Sequence, residues 1–231
     1  MKEIPLVDKT TRLLVASVME RGSPADALVS NEDRKLKDLA KGSRVGTSSP
    51  IRMAQLRHVR PDLRPEPLRG EVEKRVEKVD KGEIEAAIFA EAGLARLGMA
   101  YKVSERLPTE QFLPAPGQGA LAIVARRDNL KVIETLRSVE HIPTRLEVEA
   151  ERELVRILEG TSKVPVGGLA AVRGDRIQIT ACILSIEGKE KYVATKSGNV
   201  RDGVLLARQV ADELVGKGAG RIGETWRTPK R

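Results

Sequence analysis

Residues 44–59 read RVGTSSPIRMAQLRHV, and their order decides the fold. Arg44-Val45-Gly46-Thr47 is a short strand. Ser48, Ser49 and Pro50 then offer a helix N-cap with proline at the first helical position. The helix runs to about Val59 and stops before Pro61. The alternation continues C-terminally: 63–68 is a strand, and 71–80 (EVEKRVEKVD) puts Val72, Val76 and Val79 on one helical face. Residues 84–90 (IEAAIFA) form a buried strand, and a short helix surrounds Leu94–Leu97. This βαβαβα order predicts a small, mainly parallel sheet covered by helices.

On the N-terminal side, 11–18 (TRLLVASV) reads as a buried strand broken by Arg21-Gly22-Ser23-Pro24. Ala27-Leu28-Val29 begins another strand, and 33–40 is a short helix closed by Gly42. On the C-terminal side, Pro114-Ala115-Pro116-Gly117-Gln118-Gly119 breaks the chain, as an ordinary loop or an interdomain hinge, before an apolar strand at Ala120–Val124. A helix follows at 144–158; then 168–173, 176–185 and 190–196 alternate as antiparallel strands, and 201–215 is an amphipathic helix. That tail is an α+β lobe.

The 231 residues carry 41 Lys plus Arg against 33 Asp plus Glu, a net charge of +8. Nucleic acid, an acidic membrane surface, a small polyanion or simply a solvated, ion-paired surface would each account for it. Only 2% of residues are aromatic, leaving few stacking platforms for nucleic acid, and no nucleic-acid-binding signature is present. No apolar run reaches the ~18 residues of a membrane span, and Met1–Pro5 carries no signal-peptide apolar region. A single cysteine, Cys182, fits a reducing cytoplasm, and with two histidines it leaves no set of metal ligands. Gly218–Gly223 matches G-x-G-x-x-G but follows a helix instead of a strand, so it reads as a helix end and glycine turn.

The junction at Thr47, Ser48 and Ser49 joins three hydroxyls to a helix N-terminus, which suits a phosphate or carboxylate. Seven cations follow: Arg52, Arg57, Arg60, Arg64, Arg69, Lys74 and Arg75. Ligands of open α/β sheets bind beyond the carboxyl ends of strands. Arg52 and Arg69 are therefore expected to converge with Thr47–Ser49 on one crevice, Arg96 to point into it, and Arg57, Arg60 and Arg64 to be solvated. Arginine forks grip carboxylates in pairs, so a polycarboxylate or phosphate pocket is predicted.

Five segments carry a family resemblance: RVGTSS at 44–49, LRGEV at 68–72 with Arg75, AGLARLG at 92–98, LPAPGQGA at 113–120, and EAER at 149–152 through LEG at 158–160 to VPVG at 164–167. In this order and spacing the chain resembles porphobilinogen deaminase (hydroxymethylbilane synthase). The resemblance implies two lobes like type II periplasmic binding proteins, the first incomplete here, plus a C-terminal α+β domain. The implied boundaries are 1–24 with 118–140 for the first lobe, 25–117 for the anion-binding second lobe and 141–231 for the third. The implied reaction joins four porphobilinogens head to tail, releasing ammonia, on a covalently held dipyrromethane. Thr47, Ser48, Ser49, Arg52, Arg69, Arg75 and Arg96 match positions that bind this primer and the linear polypyrroles grown on it.

Three departures bear on activity. Gly160-Thr161-Ser162-Lys163-Val164-Pro165 puts Ser162 where the family attaches its primer to cysteine, and a serine hydroxyl lacks thiolate nucleophilicity. Cys182 lies in a predicted strand and reads as an inert buried thiol. Lys2-Glu3-Ile4-Pro5 resembles the family's K-D-x-P, so Glu3, with Lys2, stands at the proton-handling position; a shift of about 1 Å there can cost about 10²-fold in rate. Ile51-Arg52 replaces a pair of arginines. A degenerate relative that binds anionic tetrapyrroles without extending them is the alternative reading. With the first lobe's opening strands lacking, an open sheet edge is expected, to be covered by a separate N-terminal polypeptide or by self-association.

Overall fold

The computed structural model describes residues 12–158 and 164–222. Three sheets organise these residues. The largest is built from β2 (Asp26–Ser30), β3 (Arg44–Gly46), β4 (Arg64–Glu66), β5 (Ala86–Ala90) and β6 (Glu105–Arg106), in the order β4-β3-β5-β2-β6. It is covered by α1 (Pro50–Val59), α2 (Val72–Asp80) and α3 (Glu91–Arg96). The side-chain period of two sorts the buried strands onto two faces. Leu28, Val45, Ala86 and Ile88 pack with Leu56 of α1, while Ala27, Val29, Ala87 and Phe89 pack with Val76 and Val79 of α2 and Leu94 of α3.

Two expectations need correction here. The sheet is mixed: β3 is parallel to β4 and β5, but β2 is antiparallel to both β5 and β6. The predicted helix at 33–40 is instead two single 3₁₀ turns, Asn31–Asp33 and Leu36–Asp38. Glu32 and Asp33 take left-handed backbone angles (φ 58° and 53°), which no helix can absorb.

The second sheet pairs β1 (Leu13–Val18) with β7 (Ala122–Arg126), antiparallel with a bulge between Val15 and Ser17. The expected strand at 120–124 thus begins two residues later. A helix absent from the sequence reading, α4 (Leu130–Leu136), follows it, its N-terminus capped by the Asn129 side chain accepting from the Val132 N–H. Leu13, Met19, Leu121, Val124 and Leu130 stay exposed around this pair of strands.

The third sheet is a meander of β8 (Val166–Arg173), β9 (Arg176–Leu184) and β10 (Lys191–Asn199). The helices α5 (Ile142–Leu158) and α6 (Gly203–Leu214) pack on it through Ala150, Leu154, Ile177, Ile179, Ala207 and Val210.

The β9–β10 turn locks the third sheet onto α1. Arg57 donates to the Ile186 carbonyl (2.7 Å), and His58 Nδ1 lies 2.8 Å from the Gly188 carbonyl. At Gly188 φ is +70°, and a Cβ there would sit 2.7 Å from the Ala54 carbonyl oxygen and from the His58 nitrogen. Gly188→Ala is therefore expected to destabilise by about 1–3 kcal/mol, read by urea unfolding. Gly174→Ala, also at positive φ but with nothing within 4 Å of its Cβ, is the control and should cost less.

Candidate functional site

The β3–α1 junction presents Thr47, Ser48 and Ser49 in sequence. The Thr47 N–H donates to the Glu66 carbonyl (2.8 Å), extending the β3–β4 pairing by one residue and burying Thr47. Its Oγ1 accepts from the Ser49 N–H (3.2 Å), and Ser48 Oγ donates to the Leu68 carbonyl (3.0 Å). Ser49 is the N-cap of α1, yet its hydroxyl makes no cap bond. The first-turn N–H groups, which have no partner inside a helix, therefore remain without a side-chain cap.

Arg52, in the first turn of α1, is buried. Its Nε and Nη2 both donate to Asp26 Oδ1 (3.0 and 2.7 Å), Nη2 also to Gln118 Oε1 (3.0 Å), and Nη1 to the Ile88 carbonyl (3.3 Å). Four of its five N–H groups are thus engaged by the protein. Asp26 is itself buried, and its second oxygen, Oδ2, has no hydrogen-bond partner.

Arg75 lies next to this pair. Half-buried on α2, it holds its guanidinium 5.1 Å from the centroid of the Phe89 ring. Burial, and then the charge of Arg52, push it below the usual arginine value. No carboxylate pairs with it among the described residues. Such a cation is held in an unfavourable field that an incoming anion relieves. Arg69 is exposed in the loop between β4 and α2, again with no acidic partner among the described residues.

Arg96, at the end of α3, turns toward the segments joining the first two sheets. Its Nη2 donates to the Gly119 carbonyl (2.6 Å). It also lines a cleft of about 590 Å³ with Gly22, Ser23, Glu91 and Val103. Arg57 and Arg60, expected to be solvated, are structural anchors. Arg60 donates to the carbonyls of Leu36 and Leu39 and pairs with Asp62, while Arg57 holds the β9–β10 turn. Arg64 alone of that trio is exposed.

Lys2, Glu3 and Ser162 lie outside the described residues. Cys182 is inside them, buried in β9, with its thiol pushed up to about 11 by burial. Such a thiol is not a nucleophile at neutral pH. The cations therefore fit an acid-bearing pyrrole chain, whereas Cys182 does not fit its covalent attachment. No cluster of three or more His, Cys, Asp or Glu suited to a metal exists among the described residues.

The sequence reading missed Asp26, Gln118 and the buried ion pair of Arg21 with Glu151. A polar residue inside an apolar strand start, as in SPADALVS, was the one available signal for Asp26.

Comparison with known proteins adds the following. Residues 1–134 match the family model "Porphobilinogen deaminase, dipyromethane cofactor binding domain", and 145–216 match "Porphobilinogen deaminase, C-terminal domain". The chain is 41% identical over 222 residues to a porphobilinogen deaminase of Desulforudis audaxviator, covering 96% of this chain and 72% of that one. To the porphobilinogen deaminase of Nitrosomonas europaea it is 39% identical, with the same coverage. Among solved structures, an arginine-specific periplasmic binding protein of Salmonella typhimurium aligns at a TM-score of 0.33 and 15% identity over 55% of each chain.

Proposed function

The chain belongs to the porphobilinogen deaminase family, and from that premise we propose how its residues serve the hydroxymethylbilane synthase reaction of tetrapyrrole biosynthesis. Family members are transferases, and the matched domain is the one that binds dipyrromethane. In this reading the cleft at the carboxyl ends of β3 and β4 receives the acetate and propionate groups of porphobilinogen and of the growing polypyrrole. Arg75 is the principal carboxylate partner, with Arg52 behind it, and Arg69 and Arg96 flank it. The N–H groups and hydroxyls of Thr47, Ser48 and Ser49 complete the acceptor surface. Bound dipyrromethane would supply the free pyrrole carbon to which the first substrate is joined. The three sheets correspond to three lobes divided near 24/25, 117/118 and 140/141.

The observation that carries this reading is Arg75, half-buried beside Arg52 with no acid paired to it among the described residues. Each carboxylate it meets adds a charge-assisted hydrogen bond that offsets the like charge of Arg52. Glu3, with Lys2 beside it, is assigned to proton handling at the departing amine.

One sequence feature favours a second reading. Ser162 at the attachment position fits a protein that holds anionic linear tetrapyrroles without extending them. Purified protein given porphobilinogen separates the two: release of ammonia with a linear tetrapyrrole supports synthesis, and binding without ammonia supports the second.

Two further assignments belong to the same proposal. The exposed Leu13, Met19, Leu121, Val124 and Leu130 are side chains that a partner polypeptide would cover, with self-association as the alternative. The protein works in the cytoplasm, consistent with its single thiol; no helix among the described residues is long and apolar enough to cross a membrane.

A further inference from the structure

The chain crosses twice between the first two sheets, once through residues 19–25 and once through 107–121. The crossings touch backbone to backbone. The Met19 N–H donates to the Leu121 carbonyl (3.0 Å), and the Gly22 N–H to the Gly119 carbonyl (3.3 Å). A Cβ on Gly119, where φ is +84°, would lie 2.7 Å from the carbonyl oxygens of Gly22 and Ser23. No side chain fits between them.

Gln118 stands at this contact and is 1% exposed. Its Oε1 accepts from Arg52 Nη2 (3.0 Å), and its Nε2 donates to Asp26 Oδ1 (2.7 Å) and to the Pro24 carbonyl (2.8 Å). Both amide protons and the amide oxygen are therefore committed. Its backbone carbonyl accepts from Arg21 Nε (2.9 Å), and Arg21 grips Glu151, which in turn accepts from the Ala170 N–H of β8 (2.8 Å). The next residue, Gly119, receives Arg96 (2.6 Å). Two of the cleft's arginines thus end on consecutive residues of one crossing.

We infer that Gln118 is a positioning residue that couples the arginines of the pyrrole cleft to both interlobe crossings. The inference rests on the cleft assignment made above. A carboxylate arriving at Arg75 adds an attraction that offsets the like charge of Arg52 and draws on both guanidinium groups. Arg52 then resettles only together with Gln118, Asp26 and the Pro24 carbonyl, because Arg52, Gln118 and Asp26 are buried and each group is bonded to the next. A buried network of this kind has discrete arrangements instead of a continuous range, so a change at one end biases the other. Loading of acid-bearing pyrroles would in this way set the angle between lobes.

Hydrogen–deuterium exchange with porphobilinogen as the probe tests this in wild type, Gln118→Met and Gln118→Glu. In wild type, ligand slows exchange at 47–53 and, on the order of five- to tenfold, at 20–25. In Gln118→Met, slowing at 47–53 persists and slowing at 20–25 disappears. Gln118→Glu keeps the acceptor for Arg52 but loses the donations to Pro24 and Asp26; it gives the same split and carries the test if the methionine variant does not fold. Wild-type slowing at 47–53 alone, or variants that keep slowing at 20–25 while merely melting earlier, would overturn the coupling and leave the cleft standing. No slowing anywhere in wild type would overturn the cleft assignment, and the coupling with it.

Discussion

Glu151→Ala is expected to lower the unfolding free energy by about 3–5 kcal/mol, the cost of stranding one partner of a buried ion pair. Glu151 is fully buried in α5 and gathers four donors from three parts of the chain. Oε1 accepts from Arg21 Nη1 (2.7 Å) and the Ala170 N–H (2.8 Å), and Oε2 from Arg21 Nη2 (3.1 Å) and the Gly117 N–H (2.5 Å). Without the carboxylate, Arg21 keeps only Glu147, at 3.7 Å, as an acidic partner among the described residues. At ~2–4 °C per kcal/mol for a chain of this size, the melting temperature falls by about 10 °C. Glu149→Ala is the control. That carboxylate is 48% exposed and 3.6 Å from Arg145, so its loss should cost ~0–1 kcal/mol. Equal midpoints for the two variants in urea unfolding would refute the keystone role of Glu151.

Ser162→Cys is expected to change covalent chemistry from none to nearly complete. A free cysteine is already a few per cent thiolate at pH 7, whereas a serine hydroxyl there has no comparable nucleophilic form. Cys182 does not compensate, since burial holds its thiol near 11. Intact-mass measurement after incubation with porphobilinogen should show wild type unmodified and the variant carrying a dipyrromethane. Ammonia release should rise with the adduct. An adduct on the wild type would show that serine suffices. A variant that binds porphobilinogen but stays unmodified would mean that more than this one atom has departed from the family.

Local signals made much of the five-stranded sheet and its helices legible. The Ser49-Pro50 start of α1, the valine spacing of α2 and the apolar run of β5 are each decided within a few residues. The antiparallel direction of β2 was not readable, because it depends on how the chain returns through a crossing. The turns at 31–38 were misread because Glu32 and Asp33 occupy a backbone region that a helical pattern does not betray. The site divides along the same line. The density of cations between 52 and 75 pointed to an anion cleft, but the fate of each depended on distant partners. Arg52 meets Asp26 and Gln118, Arg57 meets Ile186, and Arg96 meets Gly119. What sets Arg75 apart from Arg52 is that no carboxylate among the described residues pairs with it, although Glu71, Glu73 and Glu77 are its neighbours in sequence, and spacing along the chain cannot express that.

Calorimetric titration with porphobilinogen, on wild type and on Arg69→Gln/Arg75→Gln, puts the cleft itself on trial. Each charged hydrogen bond lost is worth about 1.5–3 kcal/mol, so affinity should fall at least tenfold, with weaker salt dependence and an unchanged melting temperature. Equal affinity in the double variant, or a wild type to which porphobilinogen does not bind, would contradict the account.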